Sequence, residues 1–136
     1  MFLADTNVLL DVFTDDPQWR SWSESALREA LVAGPIGINP IIYAEASLAF
    51  DVAETLDHQL AALMLDRLPL PYGAAFGAAR AYRRYRRAGG VRSAPLPDFY
   101  IGAHAETSGL TLITRDDKRF RTYFPAVTLV SPEASS

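Results

Sequence analysis

Four carboxylates stand at positions in this chain where side chains could cooperate in chemistry. Asp5 and Asp116 each come just past a short apolar run that favours a β-strand. Asp98 lies at the start of a predicted helix, and Glu45 interrupts the apolar face of another helix. Two carboxylates about 5 Å apart repel by roughly 3 kcal/mol at an effective dielectric of ~20. A cluster of these acids must therefore retain protons or bind a cation.

The make-up of this acid set predicts which cation it would bind. Oxygen ligands without histidine or cysteine select a hard ion, here Mg²⁺ or Mn²⁺. Mg²⁺ held by few protein ligands keeps several waters, and it can deliver one of them to a phosphodiester while stabilising the charge on the phosphate oxygens. The predicted chemistry is metal-assisted hydrolysis of a phosphate ester. Taken singly, each acid has a plainer interpretation as a helix cap, a turn former or a rim residue.

Strand-like and helix-like segments alternate along the chain. The predicted strands are 1–4, 36–38, 110–114 and 127–130, and the predicted helices are 8–13, 17–33, 40–50, 51–67, 73–87 and 97–108. This alternation predicts an α/β fold of three layers, in which a central parallel sheet is flanked by helices on both faces.

Such a fold would bring the four acids to one edge of the sheet. Ligand sites in these sheets lie beyond the carboxyl ends of the strands, where Asp5 and Asp116 are placed. Helix starts lie at the same edge in a right-handed βαβ unit, so Asp98 can join them, and Glu45 can reach in from its helix. The sequence therefore predicts one site lined by all four carboxylates.

Length and composition limit the class of protein. The 136 residues fit a single domain, predicted as 1–131 with a frayed tail at 132–136. The absence of cysteine excludes disulfides and thiolate metal sites, and the N-terminus lacks the layout of a signal peptide. No stretch approaches the ~20 apolar residues of a membrane span. We expect a cytoplasmic protein that does not enter a membrane.

Basic residues are concentrated in one short window although the net charge is −3. Five of the 13 basic residues lie between Arg80 and Arg87, and four of them share one helix stripe: Arg80, Arg83, Arg84 and Arg87. One interpretation is a surface that binds nucleic-acid phosphates, extended by Arg92 before Asp98 and by Arg115 before Asp116. The other is a solvated face whose cations favour the C-terminal end of the helix. The sequence leaves both open.

Four segments carry a family resemblance when taken together and in order. They are Leu3-Ala4-Asp5-Thr6-Asn7-Val8-Leu9-Leu10-Asp11, Ile42-Tyr43-Ala44-Glu45, Pro97-Asp98-Phe99-Tyr100-Ile101-Gly102-Ala103-His104-Ala105 and Leu112-Ile113-Thr114-Arg115-Asp116-Asp117-Lys118-Arg119-Phe120. With these segments at this spacing, the chain resembles the PIN-domain ribonucleases and, within them, the VapC-like toxins of bacterial toxin–antitoxin pairs.

The resemblance implies a doubly wound α/β fold and Mg²⁺- or Mn²⁺-dependent endonucleolytic cleavage of RNA. It implies that the metal-binding, catalytic acids are Asp5, Glu45, Asp98 and Asp116. Asn7 and Thr114 correspond to polar residues that orient these acids, and Asp117 to a residue that assists them. The expected partners are a small antitoxin protein, an RNA substrate and a second copy in a homodimer. The alternative is a PIN-like module that binds RNA or protein without cutting.

Overall fold

The computed structural model describes residues 1–90 and 96–132. Within these ranges the strands are β1 Phe2–Ala4, β2 Ile36–Ile38, β3 Asp66–Arg67, β4 Thr111–Ile113 and β5 Leu129–Val130. The helices are α1 Thr6–Phe13, α2 Arg20–Ala33, α3 Pro40–Ser47, α4 Ala53–Ala62, α5 Tyr72–Arg87, α6 Leu96–Ser108 and α7 Lys118–Tyr123. Arg92 and residues 133–136 of the predicted tail lie outside the described residues.

The described strands form one parallel sheet in the order β3-β2-β1-β4-β5. β1 lies at its centre, with Leu3 opposite Gly37 on one side and opposite Leu112 on the other. Leu3 and Leu112 are completely buried, as expected for strands covered on both faces. The predicted α/β fold with a central parallel sheet is confirmed.

The chain reverses its direction of travel across the sheet after β3. The first connections step from β1 out to β3, whereas the later ones return past β1 to β4 and β5. Right-handed crossovers on the two sides of this reversal place helices on both faces of the sheet. The reversal makes the gap between the carboxyl ends of β1 and β4 a topological switch point, the usual position of a ligand site.

The helix α6 is held close to its neighbours by small residues. It packs along α5, whose buried side consists of alanines, and Gly77 of α5 lies against Ala103. Gly102 lies under the ring of Phe124, where any side chain would collide with that ring. These close approaches fix the position of α6 and therefore of Asp98 in its first turn.

One predicted helix, 51–67, is wrong at both ends. The helix α4 ends at Ala62, and Met64 takes a left-handed backbone conformation with φ of 59°. The chain then pairs β3 with β2, matching Asp66 with Gly37. Both residues of β3 are exposed, and their charged side chains carry no apolar alternation. Local periodicity therefore could not reveal this edge strand.

Two apolar residues, one just after α3 and one in α5, are exposed. Leu48 is 89% exposed just after α3, because that helix ends at Ser47. Ala79 is also exposed, and the buried side of α5 is formed by Ala74, Ala78 and Ala81.

Among the described residues, none of the helices combines the length and the apolar run needed to cross a bilayer.

Candidate active site

Asp5 occupies the junction between β1 and α1. Its Oδ1 accepts a hydrogen bond from the Thr6 backbone N–H at 2.7 Å, so it caps the helix that it precedes. Its Oδ2 accepts from the Thr114 hydroxyl at 2.8 Å, which ties the end of β1 to the end of β4. The side chain is buried, and both carboxylate oxygens have neutral donors.

Glu45 reaches the same place from α3. Asn39 caps this helix by accepting from the Ile42 N–H at 2.9 Å, and Pro40 occupies the first helical position. The Thr6 hydroxyl donates to Glu45 Oε1 at 2.6 Å. No role was predicted for Thr6, because a contact across 39 residues leaves no local pattern in the sequence.

Asn39 also links the helix that carries Glu45 to the helix that carries Asp98. Its amide nitrogen lies 3.0 Å from Nδ1 of the buried His104 of α6. Since burial lowers the pKa of His104, the ring is neutral near pH 7 and accepts this hydrogen bond at Nδ1. The Asn39–His104 hydrogen bond therefore fixes α3 against α6 without involving the acids.

Asp98 is the acid that has a cationic partner. Arg119 of α7 donates from Nη1 to Asp98 Oδ2 at 2.6 Å. The same guanidinium lies over the rings of Tyr85 and Phe99, 5.6 and 5.7 Å from their centroids. Arg119 is thus held in place by two aromatic faces and by the carboxylate.

Asp116 follows β4, and its side chain is exposed. Its backbone N–H donates to the Thr114 hydroxyl oxygen at 3.1 Å. The Asn7 amide donates to that same oxygen at 3.4 Å, and the Asn7 carbonyl oxygen accepts from the Arg115 N–H at 3.4 Å. Thr114 and Asn7 therefore lie at the centre of the connection between Asp5 and the Asp116 segment, where an orienting role was predicted.

The four predicted acids line a single cavity of about 240 Å³. Its other lining residues are Thr6, Asn7, Leu10, Leu48 and Phe120. The cavity opens at the carboxyl ends of β1 and β4, which is the switch point of the sheet. The structure therefore brings together all four acids that the sequence singled out.

The cavity disfavours negative charge. Burial raises the pKa of Asp5 to about 7; the hydrogen bond from Thr114 opposes this shift, and the nearby Asp98 and Glu45 add to it. Burial also raises the pKa of Asp98, opposed by Arg119 and reinforced by Glu45 and Asp116. Both shifts arise first from burial, and the neighbouring carboxylates add to them.

This excess of carboxylate oxygens fits a hard divalent cation in its chemistry. Within residues 1–90 and 96–132, no three of these side chains are yet arranged to hold an ion. Asp5, Glu45 and Asp98 instead direct oxygens to Thr114, Thr6 and Arg119, respectively. A cation would have to compete with these donors, most directly with Arg119.

Two residues predicted to act at or near the site have other partners. Arg115, predicted to bind nucleic acid, donates from Nε to the buried Asp11 at 2.8 Å and covers Trp19. Asp117, predicted to assist the acids, accepts from Arg121 at 2.5 Å. Neither residue lines the cavity. Arg115 ties the end of β4 to α1, and Asp117 pairs with Arg121 of α7.

The chain is similar to proteins of known family and structure. A family model described as PIN domain matches residues 2–124. Comparison with curated proteins gave no match.

Among solved structures, VapBC2 from Rickettsia felis bound to a promoter DNA fragment has a TM-score of 0.74 and 18% identity, over 96% of this chain and 97% of that chain. VapBC-1 from nontypeable Haemophilus influenzae has a TM-score of 0.72 and 16% identity, over 96% of both chains. A toxin–antitoxin complex from Klebsiella pneumoniae has a TM-score of 0.67 and 24% identity, over 97% of this chain and 98% of that chain. At these identities the similarity is one of fold. Because the PIN model spans nearly all of the sequence, the chain belongs to the PIN-domain family.

Proposed function

We propose that this protein is a Mg²⁺- or Mn²⁺-dependent endoribonuclease and the VapC-like toxin of a toxin–antitoxin pair. The observation that carries the proposal is the cavity lined by Asp5, Glu45, Asp98 and Asp116 at the switch point of the sheet. The raised pKa of Asp5 supports it, because none of the described residues supplies a compensating cation to this buried acid. Membership of the PIN-domain family supports the nuclease class.

The four acids would hold the divalent ion through their carboxylate oxygens. When bound, the ion supplies charge neutralisation at the phosphate and a water molecule of lowered pKa. Thr114 holds Asp5 from the β4 side, and Thr6 holds Glu45 from the start of α1. Asn7 fixes the Thr114 hydroxyl and the turn that leads to Asp116. These neutral donors orient the acids without cancelling their charge.

The proposed partners follow from the family and from similar structures. The Klebsiella pneumoniae neighbour is a toxin–antitoxin complex, and two other neighbours are VapBC proteins. We propose that a cognate antitoxin covers the acid cavity of this chain, that the chain forms a homodimer and that it acts on RNA in the cytoplasm. The composition of the cavity supports an antitoxin segment that presents a cation to the acids.

The decisive experiment measures RNA cleavage by the wild-type protein and by Asp98→Asn, each with EDTA, Mg²⁺ and Mn²⁺. Asp98→Asn keeps the shape of the side chain and removes its charge. Asp66→Asn on the exposed strand β3 is the matched control. We expect metal-dependent cleavage by the wild type and by Asp66→Asn, and none by Asp98→Asn, with all three proteins folded by circular dichroism.

Other outcomes would redirect the proposal. Equal cleavage by the wild type and Asp98→Asn would mean that the site is misassigned or that a contaminant cuts the RNA. Binding of RNA or antitoxin without cleavage of transfer, ribosomal or messenger RNA would favour the silent PIN-like module.

A further inference from the structure

The outward side of α5 presents aromatic and basic residues together. Tyr72 is 95% exposed and Phe76 is 63% exposed, whereas the opposite side of the helix is buried by alanines. Successive spacings of three and four residues place five exposed side chains on one face. We call this set the α5 outer face; it consists of Tyr72, Phe76, Arg80, Arg83 and Arg87.

The charge on this helix is of one sign. α5 contains no Asp or Glu, and its exposed arginines take part in none of the salt bridges among the described residues. Arg80 instead lies over the ring of Phe76, 4.7 Å from its centroid. Solvation near a helix C-terminus would account for the arginines. It does not account for two large exposed aromatic rings beside them.

The basic end of α5 adjoins the acid cavity. Gly73 lies near Thr107 and Gly77 near Ala103, so α5 and α6 run antiparallel and the end of α5 lies towards the start of α6. Arg84, at the margin of the α5 outer face, donates to the carbonyl oxygen of Tyr123 at 3.2 Å.

The contacts continue from Tyr123 to Asp98. The Tyr123 ring contacts that of Tyr85 at 5.8 Å, and Arg119 spans from Tyr85 to Asp98. A short series of touching residues thus connects the α5 outer face with the proposed cleavage site.

We propose that the α5 outer face binds single-stranded RNA that extends from the acid cavity. The arginines contact phosphates, and Phe76 and Tyr72 stack on bases. Stacking of this kind requires unpaired bases, because a duplex hides the base faces. From Arg84 to Tyr72 the helix rises by about 18 Å, which leaves room for more than one nucleotide. This inference rests on the proposed function and specifies its substrate as single-stranded.

A second copy of the chain is a poorer occupant of this face. Two α5 outer faces packed against each other would bring unpaired arginines of both copies together, which is destabilising in a low-dielectric interface. A polyanion gains from the same arrangement, because each guanidinium can replace a released counterion at a phosphate.

The test is a fluorescence-polarisation titration with a labelled 12-nucleotide single-stranded RNA in EDTA, so that binding is measured without cleavage. We expect Phe76→Leu to weaken binding on the order of tenfold, because the variant loses the ring that stacks on a base. Leucine keeps the apolar bulk of the side chain, so the loss of affinity reports on the ring. Phe76→Tyr retains the ring and should bind like the wild type. The exposed Val32→Ala on α2 is the control for loss of an exposed apolar side chain.

The electrostatic part has its own measurement. Arg83→Ala should reduce the slope of log affinity against log salt by about 0.7, the value for one phosphate contact on a single strand. Arg28→Ala, an exposed arginine paired with Glu24 on α2, should leave the slope unchanged. The same RNA annealed to its complement should bind the wild type and Phe76→Leu equally.

The outcomes separate this inference from the proposed function. If the wild type cuts RNA while Phe76→Leu and Arg83→Ala bind as the wild type does, the α5 inference is overturned and the nuclease stands. If these variants instead lose the homodimer in light scattering and keep RNA affinity, the face is a protein interface and the inference is again overturned. Weak binding by both variants with an intact fold supports it even where no cleavage is seen.

Discussion

Two buried aspartates at opposite ends of α1 have opposite electrostatic surroundings. Asp11 is 2% exposed and accepts from the Arg115 guanidinium at 2.8 Å and from the Ser23 hydroxyl at 2.7 Å. Asp5 is 4% exposed and accepts from a backbone N–H and from the Thr114 hydroxyl. Within the described part of the chain, the protein therefore supplies a cation to one carboxylate and neutral donors to the other.

This difference separates an acid that is satisfied within the fold from one that we propose binds a cation. A buried carboxylate paired with arginine is satisfied within the fold, and its removal damages the fold. A buried carboxylate held by neutral donors keeps a raised proton affinity, so that it can accept an external cation. Burial alone would have placed Asp5 and Asp11 in the same class.

The largest effect is expected from Asp5→Asn. Removing this charge should reduce RNA cleavage on the order of a thousandfold or more, the usual result of losing a central catalytic group. The fold should persist, because the amide oxygen can still accept from the Thr6 N–H and the substitution removes the repulsion from Asp98 and Glu45. The check is initial cleavage rate together with thermal unfolding; a loss of activity that accompanies a large fall in Tm would instead make Asp5 a structural residue.

A loss of stability, in contrast to the loss of activity expected from Asp5→Asn, is expected from Arg115→Ala. It leaves the Asp11 carboxylate buried with Ser23 as its remaining partner, which should lower the free energy of unfolding on the order of 3 kcal/mol. Urea denaturation measures this value. Arg28→Ala, which breaks an exposed pair, should cost less than about 1 kcal/mol. A stable Arg115→Ala protein with weakened RNA affinity would restore the nucleic-acid role predicted for Arg115.

The pH dependence of stability provides an independent comparison. The pKa of Asp5 is raised from 3.8 to about 7, so the folded state binds this proton more tightly than the unfolded state. The stabilising contribution is complete below about pH 4 and is lost as the pH rises through about 7. In EDTA, the free energy of unfolding should fall on the order of 2 kcal/mol more between pH 5 and 8 in the wild type than in Asp5→Asn. Parallel pH profiles for the two proteins would contradict this expectation.

The smallest effect concerns Arg119, the cation that already occupies part of the site. Arg119→Ala should tighten Mg²⁺ binding a few-fold, because a partly exposed ion pair contributes up to about 1 kcal/mol. Isothermal titration calorimetry measures the affinity without any RNA. The neighbouring exposed Lys118→Ala is the control, since it removes a charge from the same helix but not from Asp98. Equal affinities for the two variants would show that Arg119 does not compete with the ion.

The sequence was sufficient for four of the five described strands of the sheet and for the meeting of the four acids. Asp5 and Asp116 follow apolar runs, and the rule for strand ends in parallel sheets is general enough to bring them together. The metal-binding roles of these acids stay predictions. The partners of the acids were not foreseen, because Thr6 meets Glu45 across 39 residues and Arg115 meets Asp11 across 104. Such pairings depend on tertiary distances that no local pattern records.

The same limit explains the missed strand and the unforeseen partner of Arg115. β3 forms because Gly37 and Ile38 offer a free strand edge, not because Asp66 and Arg67 favour strands. Arg115 looked like part of a basic surface when charge was counted along the chain. Its neighbour in space is a buried acid from the opposite end of the sequence.

The central place of β1 also determines when the acid site can exist during synthesis. β1 pairs with β4, and Asp5 is held by Thr114, 109 residues later. At ~5–20 residues per second, the ribosome needs several seconds to make the part of the chain between them. Throughout that time the N-terminal strand lacks one neighbour, and Asp116 has not been added. The proposed nuclease would therefore stay inert as a nascent chain until the segment that carries Thr114 and Asp116 has been added.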